Sequence, residues 1–256
     1  MDFEDRKTKL SEYLRESGKI DYSHAVDLLG VSEATVRRDF EQLEKQGILV
    51  RVRGGAKSAH LEEGNPRVQN IIYSRERKLI GEIASGFVRK NELVYIGSGT
   101  TTMALIDQIE HPNISVITNG IPQLEALTKK GIQTFLLAGF LKETTRALVG
   151  SRAIEMLKEF RFDTAFLGAN GLSRDYKLLS ADEYEYEIKK VAITNSRRCY
   201  MLLDHGKFDK TAMYEISGDI LKKVYVITDR MADWIHAPYE RVGEGYVFCL
   251  GDAMKQ

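Results

Sequence analysis

The sequence predicts two folded units of different class: a small helical unit closed by a basic hairpin, followed by a larger α/β unit. Three observations predict this. Over residues 3–45 apolar positions recur at helical spacing between glycines, and Ile48-Leu49-Val50-Arg51-Val52-Arg53 then alternates before Gly54-Gly55. From residue 74 onward helical and strand-like runs alternate. Between them, Lys57 to Asn70 carries Ser58, Glu62, Glu63, Gly64, Asn65 and Pro66 with no sustained period, the mark of a polar linker. The expected boundaries are 1–57, a linker over 58–72, and 73–256.

In the first unit, Leu10, Tyr13 and Leu14 form the apolar stripe of a first helix that Gly18 ends. Ala25, Val26, Leu28 and Leu29 form a short second helix closed by Gly30. Gly30-Val31-Ser32 is then a tight turn into a third helix, with Ser32 positioned to cap it. On this third helix Val36, Phe40 and Leu43 share the inward face, while Ala34, Arg38, Gln42 and Lys45 point outward, flanked by Thr35 and Arg37. The run 48–53, the Gly-Gly turn and a second strand beyond Ala56 make a wing. A helix, a short helix, a turn, a longer helix and a hairpin form a winged helix-turn-helix.

An Arg-Arg pair on an amphipathic helix is by itself most often a solvated face. Here it follows a capped N-terminus and a tight turn, an arrangement that suits a major groove, where Arg forks onto guanine or grips phosphate. The DNA-contacting candidates are Ser32, Ala34, Thr35, Arg37 and Arg38 on the helix, with Arg51 and Arg53 on the wing. Bulk charge does not support this: residues 1–57 hold 11 basic and 11 acidic side chains. Local placement does, since residues 31–57 hold six basic against four acidic and residues 51–57 hold no acid at all.

For the whole chain, 256 residues suffice for a small domain plus one large enough to bury a proper core. A formal net charge of zero and 43% hydrophobic content exclude a disordered chain. No apolar run approaches the ~20 residues of a membrane helix, so no membrane partner is expected. The charged start, Met1 to Lys7, has no apolar signal core, and a cytoplasmic location is expected. Cys199 and Cys249 lie in apolar strand-like sequence and read as buried free thiols.

Within the second unit, helical stretches are expected at 74–89, 103–108, 123–129, 153–159 and 182–195. Strands are expected at 93–96, 115–118, 134–137, 164–167, 199–203 and 224–228. This alternation predicts a mostly parallel sheet with helical crossovers. Gly97-Ser98-Gly99-Thr100-Thr101-Thr102 leaves a strand and opens a helix. Glycines permit close backbone approach, a helix N-terminus offers unpaired N–H groups, and four hydroxyls in five positions add donors. A phosphate cradle fits this run; it is neither a Walker loop nor a full dinucleotide fingerprint. Asn119 and Asn170 stand on loops after other strands, where α/β sheets place ligands, although Asn at a loop tip also simply forms turns. In Asp204-His205-Gly206-Lys207, Asp204 and Lys207 either bond a sugar phosphate or pair with each other, and His205 reads as solvent-facing. Glu185 and Lys189, at i,i+4, suit an exposed ion pair as well as a ligand contact. No catalytic group, metal or cofactor is expected.

The run Gly30 to Asp39, Leu43-Glu44, Gly47 and Arg51 to Ala56 resembles the N-terminal signature of DeoR-family transcriptional regulators, with Arg53 where the family has His. Gly97 to Thr102, Thr118-Asn119, Gly139, Gly150, Asp163 to Gly171, Asp182 to Lys190 and Asp204 to Lys207 follow the same family's sensor pattern. The resemblance implies a winged helix-turn-helix on double-stranded operator DNA, joined to a ribose-5-phosphate-isomerase-like α/β sensor domain that binds a phosphorylated sugar. It further implies a repressor of a sugar-utilisation operon, relieved by ligand and acting as a homo-oligomer, a dimer or tetramer. The candidate effector contacts are Gly97, Ser98, Gly99, Thr100, Thr101, Thr102, Asn119, Asn170, Lys189, Asp204 and Lys207. Two departures stand out: Gly139-Phe140 where the family commonly has Gly-Gly, and Leu179-Ser180-Ala181-Asp182 where it often has Thr-Thr-Pro-Asp. The alternative is a sugar-phosphate isomerase with an accessory DNA-binding module. The isomerase loop Asp-Gly-Ala-Asp reads Leu167-Gly168-Ala169-Asn170 here, without the carboxylates proton transfer needs.

Overall fold

The computed structural model describes residues 2–17, 19–45, 48–58, 75–110 and 113–254. Two compact units divide the chain, Met1–Ser74 and Arg75–Gln256. Residues 59–72 of the expected linker lie outside the described residues, as do Gly18 and Gly47.

The first unit runs α1 (Phe3–Ser17), β1 (Lys19–Asp21), α2 (Tyr22–Leu29), α3 (Glu33–Lys45), β2 (Leu49–Val52) and β3 (Gly55–Ser58). Leu10 and Leu14 of α1, Ala25 and Leu29 of α2, and Val36, Phe40 and Leu43 of α3 are buried together with Ile20, Leu49 and Ala56. Each large side chain of this core contributes about 1.5–3 kcal/mol. Local chemistry sets the helix ends. Asp21 caps α2 by accepting from the His24 N–H at 2.7 Å, and Ser32 Oγ accepts from the Thr35 N–H at 3.3 Å. Gly30 sits at φ +64°, a left-handed position that costs a side-chain-bearing residue energy and turns the chain into α3. An ion pair from Arg6 Nε to Asp39 Oδ2, 2.6 Å, ties α1 to α3, and Asp39 is buried. The wing forms as expected, but β1 had no signal of its own. Only three residues long, it pairs antiparallel with β3, so the sheet order is β1-β3-β2.

The second unit contains α4 (Arg75–Ser85), β4 (Leu93–Ile96), α5 (Thr100–Gln108), β5 (Ser115–Thr118), α6 (Ile121–Lys129), β6 (Gln133–Leu136), β7 (Phe140–Lys142), β8 (Ala147–Val149), α7 (Ser151–Lys158) and β9 (Phe162–Leu167). Then come β10 (Gly171–Leu172), β11 (Leu178–Ser180), α8 (Glu183–Asn195), β12 (Ser196–Leu202), β13 (Tyr214–Ile216), β14 (Val224–Thr228), β15 (Tyr239–Val242), β16 (Gly245–Cys249) and α9 (Leu250–Ala253). Its main sheet has eight strands in the order β15-β16-β14-β12-β9-β4-β5-β6. The six strands from β14 to β6 are parallel, and β16 and β15 add an antiparallel edge. Alternate side chains feed two cores. Val94, Ile96, Val116, Phe166 and Leu202 pack with Ile80, Leu105 and Leu127 of α4, α5 and α6. Tyr95, Ile117, Leu167 and Met201 pack with Leu157, Ile188 and Ala192 of α7 and α8. Helices therefore cover both faces, as a parallel sheet requires.

Connectivity defines where a crevice opens. From β4 the chain moves outward through β5 to β6, and from β9 it moves the other way through β12 to β14. The order reverses between β4 and β9, and open α/β sheets bind ligands outside the strand C-termini at such a point.

Several boundaries differ from expectation. The helix expected over 74–89 ends at Ser85, where Gly86 follows, and the one expected from 103 begins at Thr100. The hairpin β7–β8 and the small sheet β10-β11-β13 fall in stretches too short to show a period. Cys199 is buried, but Cys249 is only half-buried, at the antiparallel edge, with its thiol 3.3 Å from the Lys222 carbonyl.

Candidate functional site

The outward face of α3 carries Ala34, Arg37 and Arg38 exposed, with Thr35 half-buried. The two arginines are not equivalent. Arg37 is held by Glu33 Oε1, 2.6 Å from its Nη2 and 2.9 Å from its Nε, and its guanidinium lies 4.2 Å from the centroid of the Tyr22 ring. Arg38 has no hydrogen bond or ion pair among the described residues and extends into solvent. Ser32 and Thr35 place their hydroxyl oxygens 3.0 Å apart at the helix start. The wing repeats the contrast. Arg51 is bound to Glu44 through its backbone N–H at 2.8 Å and its Nε at 2.7 Å, and that hydrogen bonding raises its pKa further. Arg53 is exposed at the Arg53-Gly54 turn with no partner among the described residues. The sequence makes Arg37 and Arg38, or Arg51 and Arg53, look alike; their folded neighbours separate them.

At the C-terminal end of β4, the loop Gly97–Thr102 bends into α5. No side chain caps α5, so the N–H groups of its first turn face the loop without intrahelical acceptors. Ser98, Thr100 and Thr101 are half-buried, and their hydroxyls have no partner among the described residues. Thr102 differs: it is fully buried, and its hydroxyl donates to the Gly97 carbonyl at 2.7 Å and the Gly99 carbonyl at 2.9 Å. The Thr102 hydroxyl is therefore engaged within the loop itself. Asn119 is buried too, with 2% exposure. Its Oδ1 accepts from the Tyr95 hydroxyl at 3.1 Å and the Ser98 N–H at 3.0 Å, and its Nδ2 donates to the Leu148 carbonyl at 3.2 Å. Gly120 next to it lets the loops meet, because a Cβ there would stand 3.3 Å from Ser98 Cα and 1.9 Å from Gln123 Oε1. Gln123 completes the support by donating to the Gly99 carbonyl at 2.9 Å.

A second cluster is built from β7, β11 and α8. Asp182 caps α8, accepting from the Glu185 N–H at 3.0 Å. Lys142 Nζ bonds Asp182 Oδ2, and it reaches Glu185 Oε1 at 2.6 Å. Lys189, 9% exposed, donates to Ser180 Oγ at 3.0 Å and lies 3.4 Å from Glu185 Oε2. Asn170 joins through its Oδ1, which accepts from the Ala181 N–H at 3.0 Å. Burial pushes the Lys189 ammonium pKa down against the pull of Glu185 and Asp182. For Lys142, burial also lowers the pKa, but the hydrogen bonds to Asp182 and Glu185 win and raise it. Burial works to raise the Asp182 pKa, and the bonds from Lys142 and the Glu185 N–H outweigh it, leaving the carboxyl below its usual range. Glu185 and Lys189 are thus not the exposed surface pair that their spacing also allowed.

After β12, Asp204 and Lys207 do not pair side chain to side chain. Asp204 Oδ1 accepts from the Gly206 N–H at 3.1 Å, and Oδ2 lies 3.6 Å from Arg77 Nε of α4. Lys207 is half-buried, and desolvation, with Lys210 nearby, pushes its pKa down to about 8. His205 is not simply solvent-facing: its Nδ1 sits 2.6 Å from Asp229 Oδ2, and its N–H donates to Asp229 Oδ1 at 2.8 Å. Phe140 is 73% exposed, with its ring edge over Gly150. Sequence reasoning missed Tyr95, Gln123, Lys142, Arg77 and Asp229. No motif contains them; each reaches the site from a different element, and only Gln123, near the start of α6, follows closely on an Asn-Gly loop that the sequence did single out.

The DeoR-like helix-turn-helix domain matches residues 6–62, and the DeoR C terminal sensor domain matches residues 73–230. The chain is similar to the "Uncharacterized HTH-type transcriptional regulator FruR" of Bacillus subtilis (strain 168), 33% identical over 196 residues, which cover 75% of this chain and 78% of that protein. It is similar to the HTH-type transcriptional regulator IolR of the same organism, 31% identical over 211 residues, 81% and 84% of the two chains. It is also similar to the lactose phosphotransferase system repressor of Staphylococcus aureus (strain NCTC 8325 / PS 47), 29% identical over 216 residues, 82% and 86% of the two chains. Among solved structures, ribose 5 phosphate isomerase A from Neisseria gonorrhoeae aligns with a TM-score of 0.39 at 18% identity over 52% of each chain. The alignment thus spans about half the length of that structure.

Proposed function

The chain belongs to the DeoR family of helix-turn-helix transcriptional regulators, and we propose that it represses a sugar-utilisation operon, gripping its operator through α3 and the wing under the control of a phosphorylated sugar. The observation that carries the control half is the uncapped start of α5, where N–H groups, the helix dipole and three uncommitted hydroxyls converge. The DNA half rests on Arg38 and Arg53, exposed on the outward helix face and at the wing tip with no partner among the described residues. Thr35, Ala34 and Arg37 line the same helix face, Ser32 caps it, and Arg51 backs the wing. The phosphate is assigned to the backbone of Gly97 to Thr101 with the hydroxyls of Ser98, Thr100 and Thr101. Thr102 and Asn119 hold that cradle in shape. Asn170, Asp204 and Lys207 at neighbouring strand ends, with Lys189 from α8, face the sugar.

Binding without turnover is the reading that the site favours. Asn170 is an amide engaged with the Ala181 N–H, so the loop after β9 offers no carboxylate base. No described helix is long and apolar enough to cross a membrane. Action in the cytoplasm, as a dimer or tetramer on paired half-sites, follows from the operator reading, because one winged helix reaches few bases. The domain boundaries proposed are 1–57 for DNA binding and 73–256 for sensing and assembly, joined by the linker 58–72. The test is a gel shift on the DNA upstream of the chain's own gene, with and without a panel of sugar phosphates. The expected result is a specific complex that one member of the panel dissolves. A protein that binds no such DNA specifically, or binds it identically with every sugar phosphate, refutes the proposal.

A further inference from the structure

We propose that Lys142 completes the sugar end of the effector site, and that this end selects an uncharged polyol, so the effector carries a single phosphate group. This inference rests on the reading of Gly97–Thr102 as the phosphate cradle, and adds to it a specificity-determining residue and a ligand class.

The backbone places Lys142 near the cradle although 40 residues separate it from Thr102 in sequence. Lys142 pairs with Ala147 across the β7–β8 hairpin, and Ala147 forms a bridge to Gly120. Gly120 in turn lies against Ser98, and the Asn119 side chain joins the Ser98 N–H to the Leu148 carbonyl of β8. Two cross-strand steps of roughly 5 Å each therefore bring the Lys142 backbone within roughly 10 Å of Gly120, which itself touches Ser98 of the loop.

The two ends differ in kind. The cradle presents N–H and hydroxyl groups, and no acid side chain bonds to it among the described residues. The Lys142 end holds two ammonium groups and two carboxylates, with Lys142 Nζ bonded to Asp182 and Glu185 and Lys189 Nζ 3.4 Å from Glu185. Its formal charge sums to zero. A sugar hydroxyl both donates and accepts, so it satisfies a carboxylate and an ammonium at once. A second phosphate or a sugar carboxylate only accepts. It would have to displace Asp182 or Glu185 from the lysines and then face those displaced charges, in surroundings where Lys189 is nearly desolvated.

The experiment is titration calorimetry and thermal shift on the full chain. The probes are fructose 1-phosphate, fructose 6-phosphate and glucose 6-phosphate, against fructose 1,6-bisphosphate, 6-phosphogluconate and inorganic phosphate. At least one monophosphate should bind tenfold or more tightly than either doubly charged probe, about 1.4 kcal/mol. Glu185→Gln removes one negative charge and should narrow that gap at least threefold. Lys142→Gln, checked for folding by circular dichroism, should weaken the monophosphate about tenfold and leave inorganic phosphate unchanged. Bisphosphate binding as tight as the best monophosphate overturns the inference and leaves the cradle standing, as does Lys142→Gln binding the monophosphate unchanged. Loss of inorganic phosphate in Lys142→Gln makes the residue a support of the cradle and overturns its sugar-end role. If no probe, inorganic phosphate included, binds the wild type, the cradle reading falls first and this inference with it.

Discussion

Replacing Arg38 and Arg37 separately by alanine should give unequal losses of operator affinity, although the two residues are adjacent in sequence and both exposed. Arg38 has nothing to give up on binding DNA, so its truncation costs the whole contact. A bidentate arginine–guanine pair is worth about 1–3 kcal/mol, roughly 5- to 150-fold in Kd per half-site. Arg37 starts from an ion pair with Glu33 and a 4.2 Å approach to the Tyr22 ring. An exposed pair of this kind contributes about 0.2–1 kcal/mol, and an exposed cation–π contact about 0.5–1 kcal/mol. Reaching DNA means surrendering part of roughly 1–2 kcal/mol, so Arg37→Ala should cost less affinity than Arg38→Ala. The assay is fluorescence anisotropy with a labelled operator duplex and a scrambled duplex at one fixed salt concentration. Arg38→Ala should also narrow the ratio between the two duplexes, because a base contact carries specificity and a phosphate contact does not. Glu33→Gln releases Arg37 and should tighten binding to both duplexes alike. An Arg37→Ala loss equal to or greater than that of Arg38→Ala would refute the argument from pre-existing partners.

Neighbouring threonines should separate as sharply: Thr101→Val should weaken a sugar phosphate by calorimetry with little change in melting temperature. Thr102→Val instead strips the buried Gly97 carbonyl of its hydroxyl donor and should cost about 1–3 kcal/mol of stability, readable as a melting shift of several degrees. For Lys207, the folded pKa of about 8 lies below the ordinary lysine value. The unfolded chain therefore binds more protons between those two values, and stability should rise with pH across that window. An anionic ligand reverses the shift, so calorimetry near pH 8.5 in buffers of different ionisation enthalpy should show proton uptake on binding, absent in Lys207→Met. Finally, ligand and operator must be reciprocal: whatever factor the sugar phosphate takes from operator affinity, saturating operator must take from sugar-phosphate affinity. Unequal factors would mean that the two binding events are not linked through one equilibrium.

Much of the fold was legible because its signals are local. Gly30 at a left-handed φ, Ser32 at the helix cap, and the triplet Val36, Phe40 and Leu43 are properties of consecutive residues, and each appears where the pattern puts it. The same holds for β4, β5 and β14, buried parallel strands read from short apolar runs. What escaped was held by partners distant in the chain. Strand β1 exists because Lys19, Ile20 and Asp21 pair with Lys57, Ala56 and Gly55. The β7–β8 hairpin carries exposed Phe140 and Leu141, so no alternation of polar and apolar residues marks it.

The candidate site divides along the same line, because residue type alone does not say which polar groups the fold already uses. Gly97 to Thr102 was legible as a candidate because glycines and hydroxyls before a helix carry their chemistry in sequence. Yet the run could not say which hydroxyl faces inward. Helical geometry turns Thr102 under the loop, where the Gly97 carbonyl needs a donor, and leaves Ser98, Thr100 and Thr101 without that duty. Asn119 looked like a ligand contact or a turn former, and its side chain also ties together Tyr95, Ser98 and Leu148. Lys142 had no motif to announce it, since its meaning comes from Asp182 and Glu185, separated from it by 40 and 43 residues. A polar residue in such a site has two possible employers, the fold and the ligand, and only the count of hydrogen-bonding capacity already spent tells them apart. By that count the Thr102 hydroxyl is committed to the fold and Asn119 keeps a single Nδ2 N–H, while Arg38, Ser98, Thr100 and Thr101 retain the capacity to bind something else.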